Sequence, residues 1–340
     1  MTSPEVAPEI VRFYSETIDE ADRLATTADG RLEMVRTQEL LRRYLPQPPA
    51  TILDVGGGPG AHARWLVADG YAVHLIDPIP RHIEQAGRTG ASVELGDARQ
   101  LTAADASYDV VLLLGPLYHL LDRADRDQAL TEAYRALKPG GLLAAAGINR
   151  YASLFEHTAF AHLYREPMEK SISGILATQT HDGKKAFTSA YFHSGEQLRD
   201  EVAAAGFGGA EVYGVEGPAW SLLAATERHT GESLIDSPMF ESALTAARMA
   251  EPSTPYTSAY FHSGEQLRDE VAAAGFGGAE VYGVEGPAWS LLAATERHTG
   301  ESLIDSPMFE SALTAARMAE PYPELLAASS HLLAIGRRPG

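Results

Sequence analysis

The residues most suited to chemistry begin in the stretch ILDVGGGPGAHARWL, where Gly56, Gly58 and Gly60 stand between an apolar run and a helical one. Glycines in such a turn let the backbone approach a ligand, and the N-terminus of the next helix offers free N–H groups to polar or anionic atoms. Asp77 ends the following apolar run about 20 residues later, where a carboxylate can accept hydrogen bonds from ribose hydroxyls. The pattern predicts a nucleoside-containing cofactor.

Two cofactor classes fit this glycine turn. Gly56, Gly58 and Ala61 satisfy the G-x-G-x-x-A form of the dinucleotide fingerprint, so an NAD(P)-dependent oxidoreductase is one alternative. Asp54, just before the first glycine, and Asp97, after a third apolar run, favour a different class, as does the fourth run YDVVLLLGPLYHL. One such acid alone would be read as a solvated strand end or a helix cap, whereas three acids at three strand ends indicate a binding site.

Together these motifs resemble the class I S-adenosylmethionine-dependent methyltransferases, whose first motif, typically D-x-G-x-G-x-G, appears here as DVGGGPG. The resemblance runs from about Ile10 to Gly147, includes the LKPGG turn, and resumes at the C-terminal strands. It implies S-adenosyl-L-methionine as the cofactor. The cofactor-binding residues that it implies are Asp54, Gly56, Gly58, Gly60, Asp77, Asp97, Ala98, Leu114, Gly115, Tyr14 and Arg31.

The resemblance also implies a role for each part of this set. The glycines would lie under the methionine part of the cofactor, with Asp54 ordering their loop. Asp77 would bind the ribose hydroxyls, Asp97 and Ala98 the adenine, and the backbone carbonyls at the end of strand 4 the amino group. Tyr14 and Arg31 would lie in N-terminal helices that close over the cofactor in many relatives.

The acceptor of the methyl group should lie above the carboxyl ends of the strands. His119 is the first candidate for a base or an acceptor-orienting group, with Tyr118 beside it, because a histidine takes up a proton near neutral pH. A histidine that only hydrogen-bonds a loop carbonyl is an equally good interpretation. Tyr191 and His193 are further candidates, and His157 ranks below them. The pairs His181 with Asp182 and His82 with Glu84 lack metal-ligand spacing, so no metal is expected.

Methyl transfer asks little of side chains, since the sulfonium cofactor carries its own leaving group and the enzyme must chiefly align the reactants in line. The strand 4 end reads GPLYHL rather than an N-P-P-Y type sequence, which disfavours methylation of nucleobase or glutamine amino groups. A small organic acceptor is expected, with O, N and C acceptors all open. A non-catalytic module that binds a nucleoside ligand is a further alternative.

These residues need a scaffold in which successive strands point the same way. Apolar runs that alternate with helical ones predict a parallel sheet covered on both faces, and hence a doubly wound, Rossmann-like α/β fold. Completed as in the family it resembles, the sheet would have seven strands with an antiparallel last strand. The expected segments are an N-terminal helical cap (1–50), the cofactor-binding core (51–149), a substrate-side insertion (150–187), two repeat copies (188–252 and 257–321) and the final strand (322–340).

The two repeat copies are identical, from TSAYFHSGEQLRDEVAAAGF through to TAARMAEP. Identity even at exposed positions indicates a recent tandem duplication or an error of assembly rather than a solenoid, whose units drift in sequence. One copy would supply a helix, strand 6 and a second helix. The first copy is expected to take this place, and the unpaired strand edge of the surplus copy would favour homodimers or domain swapping.

Composition excludes several other classes. The 340 residues carry a formal net charge of -19, which argues against a nucleic-acid partner because phosphate binding needs clustered Lys and Arg. Cysteine is absent, so disulfides and thiolate chemistry are excluded. No apolar run is long enough to span a membrane and the first residues lack the plan of a signal peptide, so a cytoplasmic protein is expected.

Overall fold

A computed structural model of the chain describes residues 6–17, 23–183, 188–249, 277–283, 302–319 and 332–337, with a few further residues between 288 and 325. The chain divides into two units. The first unit comprises Met1–Arg150 and Thr178–Glu251, and the second comprises Tyr151–Ala177 and Pro252–Gly340. The first repeat copy falls almost entirely in the first unit, and the second copy falls in the second.

Within the described residues, the strands form three sheets. The largest has five parallel strands in the order β3-β2-β1-β4-β5. A small sheet has the order β6-β8-β7, and β9 pairs with β10 in antiparallel orientation. The strands are β1 (Thr51–Val55), β2 (Ala72–Asp77), β3 (Ser92–Leu95), β4 (Tyr108–Leu113), β5 (Leu137–Ala145), β6 (Ile148–Asn149), β7 (Thr180–Asp182), β8 (Ser189–His193), β9 (Gly277–Gly283) and β10 (Leu332–Arg337).

Helices precede the large sheet and connect its strands, except β3 and β4, which are joined by a segment without a helix. A π-helical turn follows the first helix at Phe13–Thr17, and 3₁₀ turns occur at Pro116–His119 and Gly217–Ala219. The α-helices are α1 (Pro8–Arg12), α2 (Arg23–Thr26), α3 (Ala28–Tyr44), α4 (Ala61–Ala68), α5 (Pro80–Ala86), α6 (Arg123–Ala136), α7 (Ala152–Ala159), α8 (Glu166–Thr178), α9 (Gly195–Ala204), α10 (Trp220–Thr230), α11 (Pro238–Met249) and α12 (Pro307–Ala319).

Both faces of the large sheet are buried, as the continuous apolar runs of its strands predict. Successive residues of a strand point to opposite faces. Ile52 of β1 therefore packs with Leu66 of α4 in one cluster, whereas its neighbour Leu53 packs with Leu130 of α6 in another. The doubly wound α/β arrangement is the consequence, and it brings the carboxyl ends of β1, β2 and β4 to one edge.

The first repeat copy packs against the N-terminal helix α3. Leu32 of α3 lies in a buried cluster with Leu223 of α10 and Leu244 of α11. The side chain of Glu227 on α10 accepts a hydrogen bond of 2.7 Å from the backbone N–H of Ala28 at the start of α3. Since the first N–H groups of a helix have no partner within it, this carboxylate caps α3 from the repeat.

The prediction of a seven-stranded sheet is wrong for the described residues, because the parallel sheet has five strands. Residues 210–217 of the first copy, expected as strand 6, are not a strand. The equivalent residues of the second copy form β9, which pairs antiparallel with β10 outside the parallel sheet. β10 follows the second copy along the chain, so pairing with that copy closes the shorter loop at the lower entropic cost.

The same helix sequence buries different but overlapping sets of residues in the two copies. In α11 the buried residues are Phe240, Ala243, Leu244 and Ala247. In α12 they are Ser311, Ala312, Ala315, Ala316 and Ala319. The partners differ as well, since α11 packs on α3 and α12 packs on α7. Identical residues therefore occupy different environments.

Across the described part of the chain, each helix is either too short or too polar to cross a membrane.

We expect Leu244→Ala and Leu313→Ala, equivalent positions in the two copies, to differ in their effect on stability. Leu244 is buried against α3, so its truncation should lower the free energy of unfolding by about 3 kcal/mol. Leu313 is only half-buried, so its truncation should cost about 1 kcal/mol or less. Urea unfolding of both variants measures the two losses, and equal losses would contradict the different packing of the copies.

Candidate active site

A cavity of about 370 Å³ opens at the edge of the parallel sheet where β1, β2 and β4 end. Residues from the N-terminal helices, from the glycine turn and from the Pro116–His119 turn line it together. This is the edge at which open α/β sheets bind their ligands. The predicted site residues that line the cavity are Tyr14, Asp54, Gly56, Gly58, Asp77, Asp97, Ala98, Leu114, Gly115, Tyr118 and His119.

The glycine turn adopts backbone conformations that other residues rarely reach. Gly58 has φ +57° and Gly60 has φ +87°, both in the left-handed region that glycine tolerates without strain. Gly60 does not line the cavity. It is the N-cap of α4, and a β-carbon there would lie 2.8 Å from the side chain of Thr89. Gly60 was predicted to contact the cofactor. In the structure its role is to let the start of α4 approach Thr89 and Ala86 closely.

Asp54 lies beneath the turn and is almost fully buried, with 1% of its surface exposed. A β-carbon on Gly57 would lie 2.6 Å from Oδ2 of Asp54, so the turn rests directly on the carboxyl group. Burial raises the pKa of Asp54 to about 7, and the neighbouring charge of Asp77 adds to this effect. Among the described atoms Oδ2 has no hydrogen-bond partner. A donor or a cation in the cavity would satisfy it.

Asp77 joins three elements at the end of β2. Its Oδ2 accepts a hydrogen bond of 2.9 Å from the backbone N–H of Gly58, and its Oδ1 accepts one of 2.9 Å from Ile79. Nδ1 of His82 lies 3.0 Å from Oδ1 and donates to it. A carboxylate has about four acceptor positions. Asp77 can therefore hold the glycine turn and helix α5 while it accepts one further donor from the cavity.

Asp97 is held by Arg99 in a bidentate ion pair. The Nε and Nη2 atoms of Arg99 donate to the two carboxylate oxygens at 2.9 and 2.8 Å. Nη1 of Arg99 also donates to Asp125 at 2.9 Å. The hydrogen bond that Arg99 donates to Asp97 is the largest cause that raises the pKa of Arg99. The charge of Asp97 is thus neutralised locally, and its neighbour Ala98 supplies a buried apolar surface to the cavity.

His119 bridges the cavity and the small sheet. Its Nδ1 lies 3.4 Å from the carbonyl oxygen of Ser189, which can only accept, so Nδ1 carries the proton. Nε2 then accepts the hydrogen bond of 2.8 Å from the hydroxyl of Tyr14. Burial lowers the pKa of His119 to about 4, although the Ser189 carbonyl and the charge of Asp77 oppose the shift. The imidazole is neutral at physiological pH, and the two interpretations given above for His119 are compatible.

Four predicted residues lie elsewhere. Arg31 points to solvent on α3, because the adjacent Leu32 takes the buried side of that helix. Tyr191 and His193 pack around Arg126 and Glu201 rather than lining the cavity. His157 is in the second unit, where its Nδ1 lies 3.1 Å from Nδ1 of His162. The second-copy equivalents of Tyr191 and His193, at positions 260 and 262, lie outside the described residues.

Several cavity residues were not predicted from the sequence. Arg23 and Glu33 line it as a bidentate ion pair with distances of 2.7 and 3.1 Å, and Glu9 accepts a 3.0 Å hydrogen bond from the Ser189 hydroxyl. Glu9 and Ser189 are far apart in the chain, and Arg23 and Glu33 lie on two different helices, so spacing along one helix carries no signal for either contact. His82 could have been found, because Pro80 marks a helix start just after Asp77 and the first turn of that helix must face the ligand edge.

Comparison with known proteins identifies the class. A methyltransferase domain family matches residues 52–141. A ubiquinone biosynthesis O-methyltransferase from Methylocella silvestris is 33% identical over 202 residues, which cover 57% of this chain and 73% of that protein. A ubiquinone/menaquinone biosynthesis C-methyltransferase from Acidiphilium cryptum is 36% identical over 113 residues, 31% of this chain and 44% of that protein.

Solved structures of the same class also match. A SAM-dependent methyltransferase from Thermotoga maritima, described as a possible histamine N-methyltransferase, is 25% identical with a TM-score of 0.39 and covers 58% of this chain and 80% of that chain. A SAM-dependent methyltransferase from Methanosarcina mazei is 20% identical with a TM-score of 0.40 and covers 49% of this chain and 82% of that chain.

The chain belongs to the class I S-adenosylmethionine-dependent methyltransferase family. Its cofactor is S-adenosyl-L-methionine, which removes the NAD(P)-dependent alternative. The cavity residues fit this group. Oδ2 of Asp54 is buried without a described partner, so it suits a cationic or N–H donor group of the cofactor. Asp77 retains an acceptor position for a ribose hydroxyl of the cofactor.

We expect Asp77→Ala to weaken binding of S-adenosylhomocysteine by about 10- to 100-fold, because hydrogen bonds to a charged group contribute about 1.5–3 kcal/mol. The loss combines the missing ribose acceptor with a loosened glycine turn. Titration calorimetry measures it. Asp105→Ala is the matched control, since its carboxylate is exposed and does not line the cavity. Equal affinity of Asp77→Ala and the parent would contradict the assignment.

Proposed function

We propose that this methyltransferase transfers the methyl group to a hydroxyl oxygen of a small, uncharged, largely apolar organic acceptor. The observation that carries the proposal is the neutral His119, hydrogen-bonded to the Tyr14 hydroxyl at the wall of the cavity. S-adenosylmethionine supplies a methyl group on a sulfonium centre that is an excellent leaving group for in-line displacement by the acceptor oxygen.

The chain must then remove the acceptor's proton. As the new carbon–oxygen bond forms, the hydroxyl oxygen gains positive charge and its proton becomes strongly acidic, so a base with a pKa of about 4 is sufficient. Tyr14 passes its own proton to Nε2 of His119 and takes the acceptor's proton in exchange. The Ser189 carbonyl supports the charged imidazole that results, because it accepts from Nδ1.

The charge of the cavity supports an acceptor without negative charge. Seven carboxylate side chains line it, against two arginines. Both arginines are already paired, Arg23 with Glu33 and Arg99 with Asp97 and Asp125. An acceptor carboxylate or phosphate would therefore enter a negative potential with no described cation available to it.

The N-terminal helices supply an apolar wall. Val6, Ala7 and Ile10 line the cavity on the same side as Tyr14, and Leu120 and Leu121 line it after His119. Such a surface suits an aromatic or alicyclic skeleton, which it would shield from water during the transfer. The Methylocella silvestris relative is named an O-methyltransferase, which agrees with an oxygen acceptor here.

A carbon acceptor is the second candidate, since the Acidiphilium cryptum relative is named a C-methyltransferase. An activated ring carbon also releases a proton after methylation, so the same histidine would serve. The position of the methyl group in the product separates the two candidates.

We expect methyl-labelled S-adenosylmethionine to transfer its label to uncharged phenols and alcohols and not to matched carboxylic acids or phosphate esters. Mass spectrometry of a paired panel, each phenol beside its carboxylate analogue, measures the preference. Transfer confined to the anionic members, or to none of the compounds, would contradict the proposed acceptor class.

We expect His119→Ala to lower kcat about 100-fold or more, and Tyr14→Phe about tenfold, with the affinity for S-adenosylhomocysteine nearly unchanged for His119→Ala. The base must be unprotonated, so kcat of the parent should be flat at neutral pH and fall as the pH drops through about 4. His229→Ala, on the exposed end of α10, is the control. A parent-like rate and pH profile in His119→Ala would show that the histidine is only structural.

A further inference from the structure

Arg126 lies directly behind the turn that carries His119. It is a residue of α6, has 2% of its surface exposed, and does not line the cavity. A buried arginine must find a partner for each of its donors, because an unpaired buried charge is strongly destabilising. The partners of Arg126 show which parts of the molecule it joins.

One end of the guanidinium binds the loop after His119. Nη1 donates to the backbone carbonyls of Leu120 and Leu121 at 2.9 and 2.8 Å. Elsewhere in this loop, Nε2 of His119 accepts the 2.8 Å hydrogen bond from Tyr14. Nδ1 of His119 lies 3.4 Å from the Ser189 carbonyl, and the N–H of Leu120 lies 3.4 Å from the carbonyl of Leu117. The arginine therefore ties the backbone of this loop to α6 through two short hydrogen bonds.

The other end binds the first repeat copy. Nε and Nη2 of Arg126 donate to the two carboxylate oxygens of Glu201 on α9, at 2.9 and 3.0 Å. The guanidinium carbon also lies 3.7 Å from the centre of the Tyr191 ring in β8. A bidentate pair with a stacked aromatic ring fixes the plane of the guanidinium, which a lysine could not do.

Glu201 is itself held in its charged form. Burial alone would raise its pKa, but hydrogen bonds from His193 and Arg126, with the charge of Arg126, keep the pKa at about 2. Nε2 of His193 lies 3.3 Å from the carboxylate. The pair thus stays ionised over the whole pH range in which the protein would work.

We propose that Arg126 is a positioning residue for methyl transfer, and that Glu201 of the first repeat copy orients it so that the 116–121 loop presents Tyr118 and His119 to the cavity. The proposal rests on the function proposed above for His119. In this proposal the first repeat copy helps to position the 116–121 loop, a role that the glycine turn and the cofactor-binding residues do not have.

The identical copies provide a control within the same chain. Glu270 is the equivalent of Glu201 in the second copy and lies outside the described residues. Because the local sequences are the same, Glu201→Gln and Glu270→Gln make the same chemical change in the same sequence context. Only the place of each copy in the fold differs.

Amide hydrogen exchange of residues 114–121 tests the proposal without any acceptor. In protein saturated with S-adenosylhomocysteine, we expect Arg126→Lys and Glu201→Gln to speed exchange in this segment about tenfold or more, and Glu270→Gln to leave it unchanged. Circular dichroism confirms that each variant is folded. Unchanged exchange in both Arg126→Lys and Glu201→Gln would overturn the proposal, as would an equal effect of Glu270→Gln.

Turnover with an acceptor from the panel provides the second measurement. We expect kcat of Arg126→Lys and Glu201→Gln to fall about tenfold, with KM for S-adenosylmethionine changed less than about twofold. A purely structural role would lower the melting temperature and leave kcat of the folded protein unchanged, which would overturn the positioning role. A parent protein that transfers no methyl group counts against the proposed function, whereas the exchange result decides the role of Arg126 by itself.

Discussion

The site depends on how the unpaired backbone N–H groups after β1 and β2 are satisfied. Asp77 accepts from the N–H of Gly58, the N–H of Ile79 and the ring of His82, so one carboxylate ties the glycine turn to β2 and α5. Parallel strands end at a common edge, and the polar groups exposed there need such a partner. Because the side chain of Asp77, and not another strand, pairs with these N–H groups, space for a cavity remains at this edge of the sheet.

Charge organises the rest of the cavity. Burial raises the pKa of Asp54 to about 7, Asp97 is paired with Arg99, and Asp77 accepts hydrogen bonds from three donors. The three acids at three strand ends thus have three different sets of partners, although the sequence shows them as one motif. The differences come from burial and from partners distant in the chain, and they decide which oxygen remains free for a ligand.

The sequence was sufficient for the five parallel strands and for the placing of the acids, because apolar runs that alternate with helices have one good packing solution and bring all strand ends to one edge. The sequence was insufficient where a side chain's position depends on the rotation of its helix or on a partner that is distant in the chain. The position of Arg31 depends on which side of α3 faces α10 and α11, and the pair of Arg126 with Glu201 joins helices far apart in sequence. The sequence also could not show which copy forms a strand, because two identical copies have identical local preferences. The first copy was expected to do so, but the strand β9 is in the second.

The two faces used by the sequence PMFESALTAARM have a consequence for folding. Alanines on both sides make either face apolar enough to pack, so the helix does not itself specify which side is buried. During synthesis α11 emerges well before α12, at a time when α3 has already been synthesised. Either copy of this helix could pack on α3 with a similar free energy. Because the first copy is synthesised earlier, the order of synthesis favours its packing there.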